Sequence, residues 1–180
     1  MITHKGTQPL ETARLRLRRF ALTDAECMYR NWANDERVTR FLTWTPHESS
    51  AMTAELLKLW CGGYASPDVY NWVIEFEGEP IGGINVVRKD EEKGLAELGY
   101  CMGYRWWNMG IMTEACEAVT AYLLDEIGFD TLRISHAVGN PASGKVAQKC
   151  GYAYIGNSFI PFTRGENGMI EISTYERKRK

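Results

Sequence analysis

The chain is poor in the residues that build metal centres. Its three histidines, His4, His47 and His136, are scattered, with no Cys, Asp or Glu beside them at ligand spacing, which argues against a zinc site. The five cysteines, Cys27, Cys61, Cys101, Cys116 and Cys150, are odd in number and form no Cys-x-x-Cys pair. They fit a reducing compartment rather than a disulfide framework. No apolar run is long enough to span a bilayer and no basic-then-apolar leader opens the chain, so the expectation is a cytoplasmic protein without a membrane partner. A net charge of −2 gives no reason to expect nucleic-acid binding, and the basic end from Glu176 to Lys180 reads as a solvated tail. Internal repeats and low-complexity linkers are missing as well.

What is present is an ordinary globular composition, 44% apolar and 24% charged over 180 residues, which suits one domain spanning the chain with loose ends at 1–10 and 178–180. Alternation over 14–20 predicts a half-exposed edge strand. Thr23-Asp24-Ala25-Glu26 and Thr45-Pro46-His47-Glu48 read as capping boxes, the first opening a helix to about Ala33 and the second a helix ending near Gly62-Gly63. Between them the aromatic segment 38–44 has weak regular signals. Strands are expected at 70–77, 81–88 and 95–102. A helix follows over 110–127, closed by Gly128, then a strand at 131–138, a short helix at 141–150, and strands at 152–159 and 169–177. Antiparallel strands first and a strand-helix-strand unit later imply an α/β (α+β) fold, one mixed sheet with helices on both faces.

The most informative stretch is 97–115, ELGYCMGYRWWNMGIMTEA. An apolar strand runs through an aromatic turn into a helix opening at Gly110, where free N–H groups and the helix dipole favour an anion. Arg105 places a positive charge ahead of it. Asn140-Pro141-Ala142-Ser143 repeats the device after a second strand, with Asn at the cap position and Pro in the first turn. Two strand ends feeding two helix starts suggest a crevice for a long phosphorylated ligand.

From Glu11 to Tyr175 the chain resembles the GNAT superfamily of N-acetyltransferases, and within it the RimJ/RimL-like branch of ribosomal-protein N-terminal acetyltransferases. Thr12-Ala13-Arg14-Leu15-Arg16-Leu17-Arg18 is similar to that branch's first strand. Arg105-Trp106-Trp107-Asn108-Met109-Gly110 fits the acetyl-CoA loop, Gln/Arg-x-x-Gly-x-Gly/Ala, with Asn108 in place of the first Gly; Asn tolerates left-handed backbone better than most residues. Met112-Thr113-Glu114-Ala115, Asn140-Pro141-Ala142-Ser143 and Lys149-Cys150-Gly151-Tyr152 also match.

The resemblance implies a mostly antiparallel sheet of about seven strands with a central splay. It implies acetyl-CoA contacts from Tyr100, Cys101, Met102, Arg105, Trp107, Asn108, Met109, Gly110, Ile111, Met112, Thr113, Asn140, Ser143 and Lys149. The diphosphate would sit on the 108–113 turn with Arg105 as countercharge, and the pantetheine arm would run beside Tyr100-Cys101-Met102, where a splayed strand leaves free backbone partners. Asn140 would cap its helix and hold the pantetheine side.

The acceptor amine must lose a proton. Glu97, directly or through water, occupies a position resembling the superfamily's catalytic glutamate, with Glu75 as a second candidate. The resemblance implies that the Ser of the branch's Asn-x-x-Ser, here Ser143, serves the leaving thiolate; Ala147 stands where many superfamily members offer Tyr, and Phe162 where some relatives place Glu, so the branch's mechanism carries over only in part. Phe41, Trp44, Trp72 and Tyr100, with Glu75 and Asn85 for polarity, could line an acceptor pocket or belong to the core. Cys101 and Cys150 read as small core residues. The expected activity is transfer of acetyl from acetyl-CoA to a primary amine in a ternary complex, most simply a protein N-terminus. A small amine (polyamine, amino acid or aminoglycoside) is the alternative acceptor, a non-catalytic acyl-CoA-binding module a third reading, and a homodimer is left open.

Overall fold

The computed structural model describes residues 1–180. Its strands are β1 (Leu10–Glu11), β2 (Leu15–Arg18), β3 (Asn71–Phe76), β4 (Glu79–Asp90), β5 (Leu95–Met102), β6 (Thr131–Ala137), β7 (Ala153–Pro161) and β8 (Met169–Lys178). They form one sheet of eight strands in the order β1-β2-β3-β4-β5-β6-β8-β7. Every pairing is antiparallel except β5 with β6. The helices are α1 (Ala25–Met28), α2 (Glu36–Thr39), α3 (Ser50–Gly63), α4 (Ile111–Ala121) and α5 (Pro141–Lys149). No helix is long and apolar enough to cross a membrane.

Alternation along the strands divides the core in two. Leu15, Leu17, Ile74, Ile84, Ala96, Leu98 and Ile134 face one side and pack with Ile111, Ala115 and Val119 of α4 and Ala147 of α5. Phe20, Val73 and the helix residues Met28, Trp32 and Leu57 fill a smaller cluster on the other side. A sheet buried on both faces needs helices on both, as the mixed pattern predicts.

The parallel pair opens the crevice. β5 and β6 are in register only from Leu95↔Thr131 to Leu98↔Ile134, whereas β4 stays with β5 as far as Gly82↔Met102. Residues 99–102 therefore have a strand neighbour on one side only, which is the splay the resemblance implies.

Several local expectations are corrected. Neither proposed capping box forms. Ser49 caps α3, accepting from the Met52 N–H at 3.2 Å. The first helix starts as a 3-10 turn, Leu22–Asp24, in which Asp24 accepts from the Ala21 N–H at 2.8 Å. It ends, as expected, at Ala33. The segment 14–20 is not the sheet edge, because β1 pairs outside it. Residues near both ends bond to the body of the fold. Thr7 is buried and donates to the Val69 carbonyl, Tyr122 donates to the Gly6 carbonyl, and Arg179 pairs with Asp130 at 2.5 Å.

Candidate active site

The turn between β5 and α4 is held by two left-handed residues, Asn108 (φ 62°) and Gly110 (φ 73°), conformations that Asn and Gly tolerate. Intrahelical bonding begins when the Glu114 N–H reaches the Gly110 carbonyl at 3.1 Å, so the N–H groups of Ile111, Met112 and Thr113 lack helical acceptors. All three residues line a groove of about 370 Å³. Trp107 donates from its indole to the Met102 carbonyl at 2.8 Å, tying the turn back to the end of β5.

A cation clamps this turn from the bend that precedes β2. Arg14 donates from Nε to Glu114 at 2.7 Å and from Nη1 to the Met109 carbonyl at 3.1 Å, while Thr12 donates to the same carboxylate at 2.6 Å. Burial would raise the Glu114 pKa, but the Thr12 and Arg14 hydrogen bonds outweigh it and hold the carboxyl below its ordinary value.

Most of the residues expected to hold the acyl donor converge on the groove. Tyr100, Cys101, Met102, Trp107, Asn108, Gly110, Ile111, Met112, Thr113, Asn140, Ser143 and Lys149 all line it. Two do not. The Met109 side chain is 45% exposed, and the Arg105 guanidinium lies 5.5 Å from the Trp106 ring centre, within range of Glu79. The short 3-10 turn Tyr104–Trp106 carries Arg105 away from the helix start. Lys145 and Lys149, one turn apart on α5, supply the groove's positive charge instead.

Asn140 stands at the cap position of α5, yet its side chain accepts no capping hydrogen bond. Pro141 has no N–H to offer, and the Ser143 N–H already meets the Asn140 carbonyl at 3.2 Å. The amide is thus left to the groove. Ser143 donates from Oγ to the Tyr100 hydroxyl at 3.0 Å, and that hydroxyl donates to the Ser143 carbonyl at 3.0 Å. Burial pushes the Tyr100 phenol well above its ordinary 10, so it is neutral. Burial likewise lifts the Cys101 thiol to about 12, unfit for nucleophilic work.

Glu97 shares the strand face of Cys101 but does not line the groove; four residues at about 3.3 Å each separate them. It faces Arg88 at 3.9 Å with its side chain 13% exposed. The proposed acceptor residues are dispersed. Trp72 is wholly in the core, donating to the Gln8 carbonyl, and Glu75 is bound by Arg18 at 2.8 Å. Asn85 pairs with Gly99 on the sheet, and Trp44 packs on His47, their ring centres 5.3 Å apart. Phe41 lies against Gly139 at the groove's rim. Val38 and Leu42 line the groove instead, spaced i, i+4. The loop that carries Leu42 is clasped by Arg164, which donates to the carbonyls of Thr39, Leu42 and Trp44.

Chemically, the groove joins free helix N–H groups and two lysines to an unpaired strand edge. It suits a diphosphate with an amide-bearing arm. No cluster of possible metal ligands is present.

The family model of the acetyltransferase (GNAT) domain matches residues 14–153. The uncharacterised N-acetyltransferase p20 of Bacillus licheniformis is 29% identical over 134 residues, 71% of this chain and 70% of that protein. YdaF of Bacillus subtilis (strain 168), placed by name only among ribosomal N-acetyltransferases, is 27% identical over 121 residues, 66% of each. Among solved structures, RimL, the ribosomal L7/L12 alpha-N-protein acetyltransferase in complex with coenzyme A, superposes with a TM-score of 0.82 at 17% identity, covering 95% of this chain and 98% of that one.

Proposed function

The chain belongs to the GNAT acetyltransferase family, and on that premise we propose that its acceptor is the α-amine at a protein N-terminus. It is an acyl-CoA-dependent N-acetyltransferase with acetyl-CoA as acyl donor. One observation carries the choice of acceptor: none of the 18 residues lining the groove is Asp or Glu. A polyamine brings several charges that would call for carboxylates, and the groove that holds the acyl donor presents none beside it. An α-amine, with a pKa near 8, is about one-tenth neutral at pH 7, whereas a lysine-like amine near 10.4 is neutral only about once in 2,500 molecules. A groove without its own carboxylate suits the amine that needs least help. The ribosomal acetyltransferase names of YdaF and RimL point the same way.

In this reading the N–H groups of Ile111, Met112 and Thr113, with Lys145 and Lys149, hold the diphosphate, and the free edge of residues 99–102 pairs with the pantetheine amides. A backbone N–H at that edge meets the acetyl oxygen as negative charge develops there. The amine attacks directly in a ternary complex. Glu97 takes its proton through water. The test is CoA release at pH 7 with N-terminal peptides and with spermidine as competing acceptors. A higher kcat/KM for peptide is expected, and a preference for spermidine would overturn the assignment.

A further inference from the structure

The departing sulfur needs a proton or a hydrogen bond, and the groove offers few groups to give one. It has no carboxylate and no histidine, and its two lysines are exposed on α5. The Cys101 side chain packs toward the smaller core. That leaves Ser143 and Tyr100, whose hydroxyls are linked. Ser143 spends its proton on the phenolic oxygen at 3.0 Å, and no group stands behind it to replace that proton.

Tyr100 has the reverse arrangement. Its own O–H rests on the Ser143 carbonyl at 3.0 Å, and rotation about one C–O bond frees it toward the groove that its side chain lines. The Ser143 hydroxyl then still donates to the phenolic oxygen. The close approach of α5 makes this pairing possible: a Cβ at Gly144 would come within 2.6 Å of His136 Nε2, so glycine lets the helix settle onto the sheet beside Tyr100.

We propose that Tyr100 is the catalytic residue that protonates the leaving sulfur, and that Ser143 is a positioning residue acting through it. This rests on reading the groove as the acetyl-CoA site. As the amine nitrogen bonds to the acetyl carbon, the C–S bond breaks and its electron pair goes to sulfur, which takes the Tyr100 proton. Ser143 limits the charge on the phenolic oxygen by its hydrogen bond. The proton that Glu97 takes from the amine is relayed through water to the tyrosinate and restores Tyr100, so the products are the amide and free CoA thiol.

Free CoA is the probe, because its bound thiol can be titrated by ultraviolet thiolate absorbance without an acceptor. Tyr100→Phe keeps the ring and removes the donor, and should raise the bound thiol pKa by about one unit relative to wild type. Ser143→Ala should raise it less, and the double variant should match Tyr100→Phe alone. CoA affinity at pH 6 should stay within about twofold, since the thiol is neutral there. Peptide turnover should fall about a hundredfold in Tyr100→Phe and about tenfold in Ser143→Ala, with no further loss in the double variant. Identical thiol titration in wild type and Tyr100→Phe would overturn the proposal, as would an effect of Ser143→Ala that persists at full size without the phenol. Failure of wild-type protein to bind CoA at all would instead overturn the groove assignment beneath it.

Discussion

Arg14, just before β2, grips Glu114 in the first turn of α4 at 2.7 Å, and its other arm holds the Met109 carbonyl at 3.1 Å. The pair fixes the turn whose N–H groups face the groove. Both side chains are partly exposed, so the ion pair is worth little to global stability, on the order of 1 kcal/mol or less. Its effect should fall on binding. Glu114→Ala should weaken CoA by about fivefold to tenfold while Tm falls by only a few degrees, measured by calorimetric titration and thermal melts. Unchanged affinity would mean that the turn holds its shape without the clamp.

Charge reversal separates the cations. Lys149→Glu lines the groove with a repulsive charge and should weaken CoA about tenfold, whereas Arg105→Glu, with its side chain turned to Trp106, should change affinity by less than about threefold. Equal losses in both variants would place the diphosphate nearer Arg105 than the groove does.

Glu97→Gln removes a proton acceptor and keeps the shape. Turnover at pH 7 should fall by roughly tenfold to a hundredfold with acetyl-CoA affinity unchanged, and the deficit should shrink toward pH 9 as an α-amine deprotonates unaided. Wild-type rates from pH 6 to 9 would remove Glu97 from the mechanism.

These elements were not equally legible in the sequence. The span of β5 and the start of α5 follow from periodicity and Pro, and the Asn108-to-Gly110 turn from two residues that accept positive φ. All are set within a few neighbours. The clamp of Arg14 on Glu114 joins residues 100 positions apart, and no local pattern marks it. Arg105 looked like the phosphate partner because it precedes the helix, but the 3-10 turn between decides where it points. Trp72 and Glu75 looked usable because an apolar or charged residue on a strand does not announce its face. Lys145 carried a readable signal, one turn before Lys149 on the helix that opens at the crevice. The link between Tyr100 and Ser143 is visible only once the splay and α5 are in place.

Stability should be lopsided in pH. Burial raises the thiol of Cys101 from 9.0 to about 12, the phenol of Tyr64 from 10.0 to about 12, and the phenols of Tyr100 and Tyr152 further still. Each is an acid whose neutral form is favoured by folding, so its contribution is complete below the unfolded value and lost as pH climbs from about 9 toward 12. Asp68, lowered to about 2 by its hydrogen bonds from Lys89 and Ser66, together with Glu114, acts in the opposite sense and weakens the fold as pH drops below about 4. Urea midpoints should therefore form a plateau from about pH 5 to 9 with a steep alkaline fall. A protein equally stable at pH 11 would contradict the burial of these groups.

The acceptor is tested most directly by where the acetyl group lands. A peptide with a free N-terminus and an internal lysine, incubated at pH 7 with the enzyme and acetyl-CoA, should be acetylated at the α-amine alone when its fragments are sequenced by mass spectrometry. Acetyl on the lysine side chain, or on added spermidine with the peptide untouched, would contradict the account.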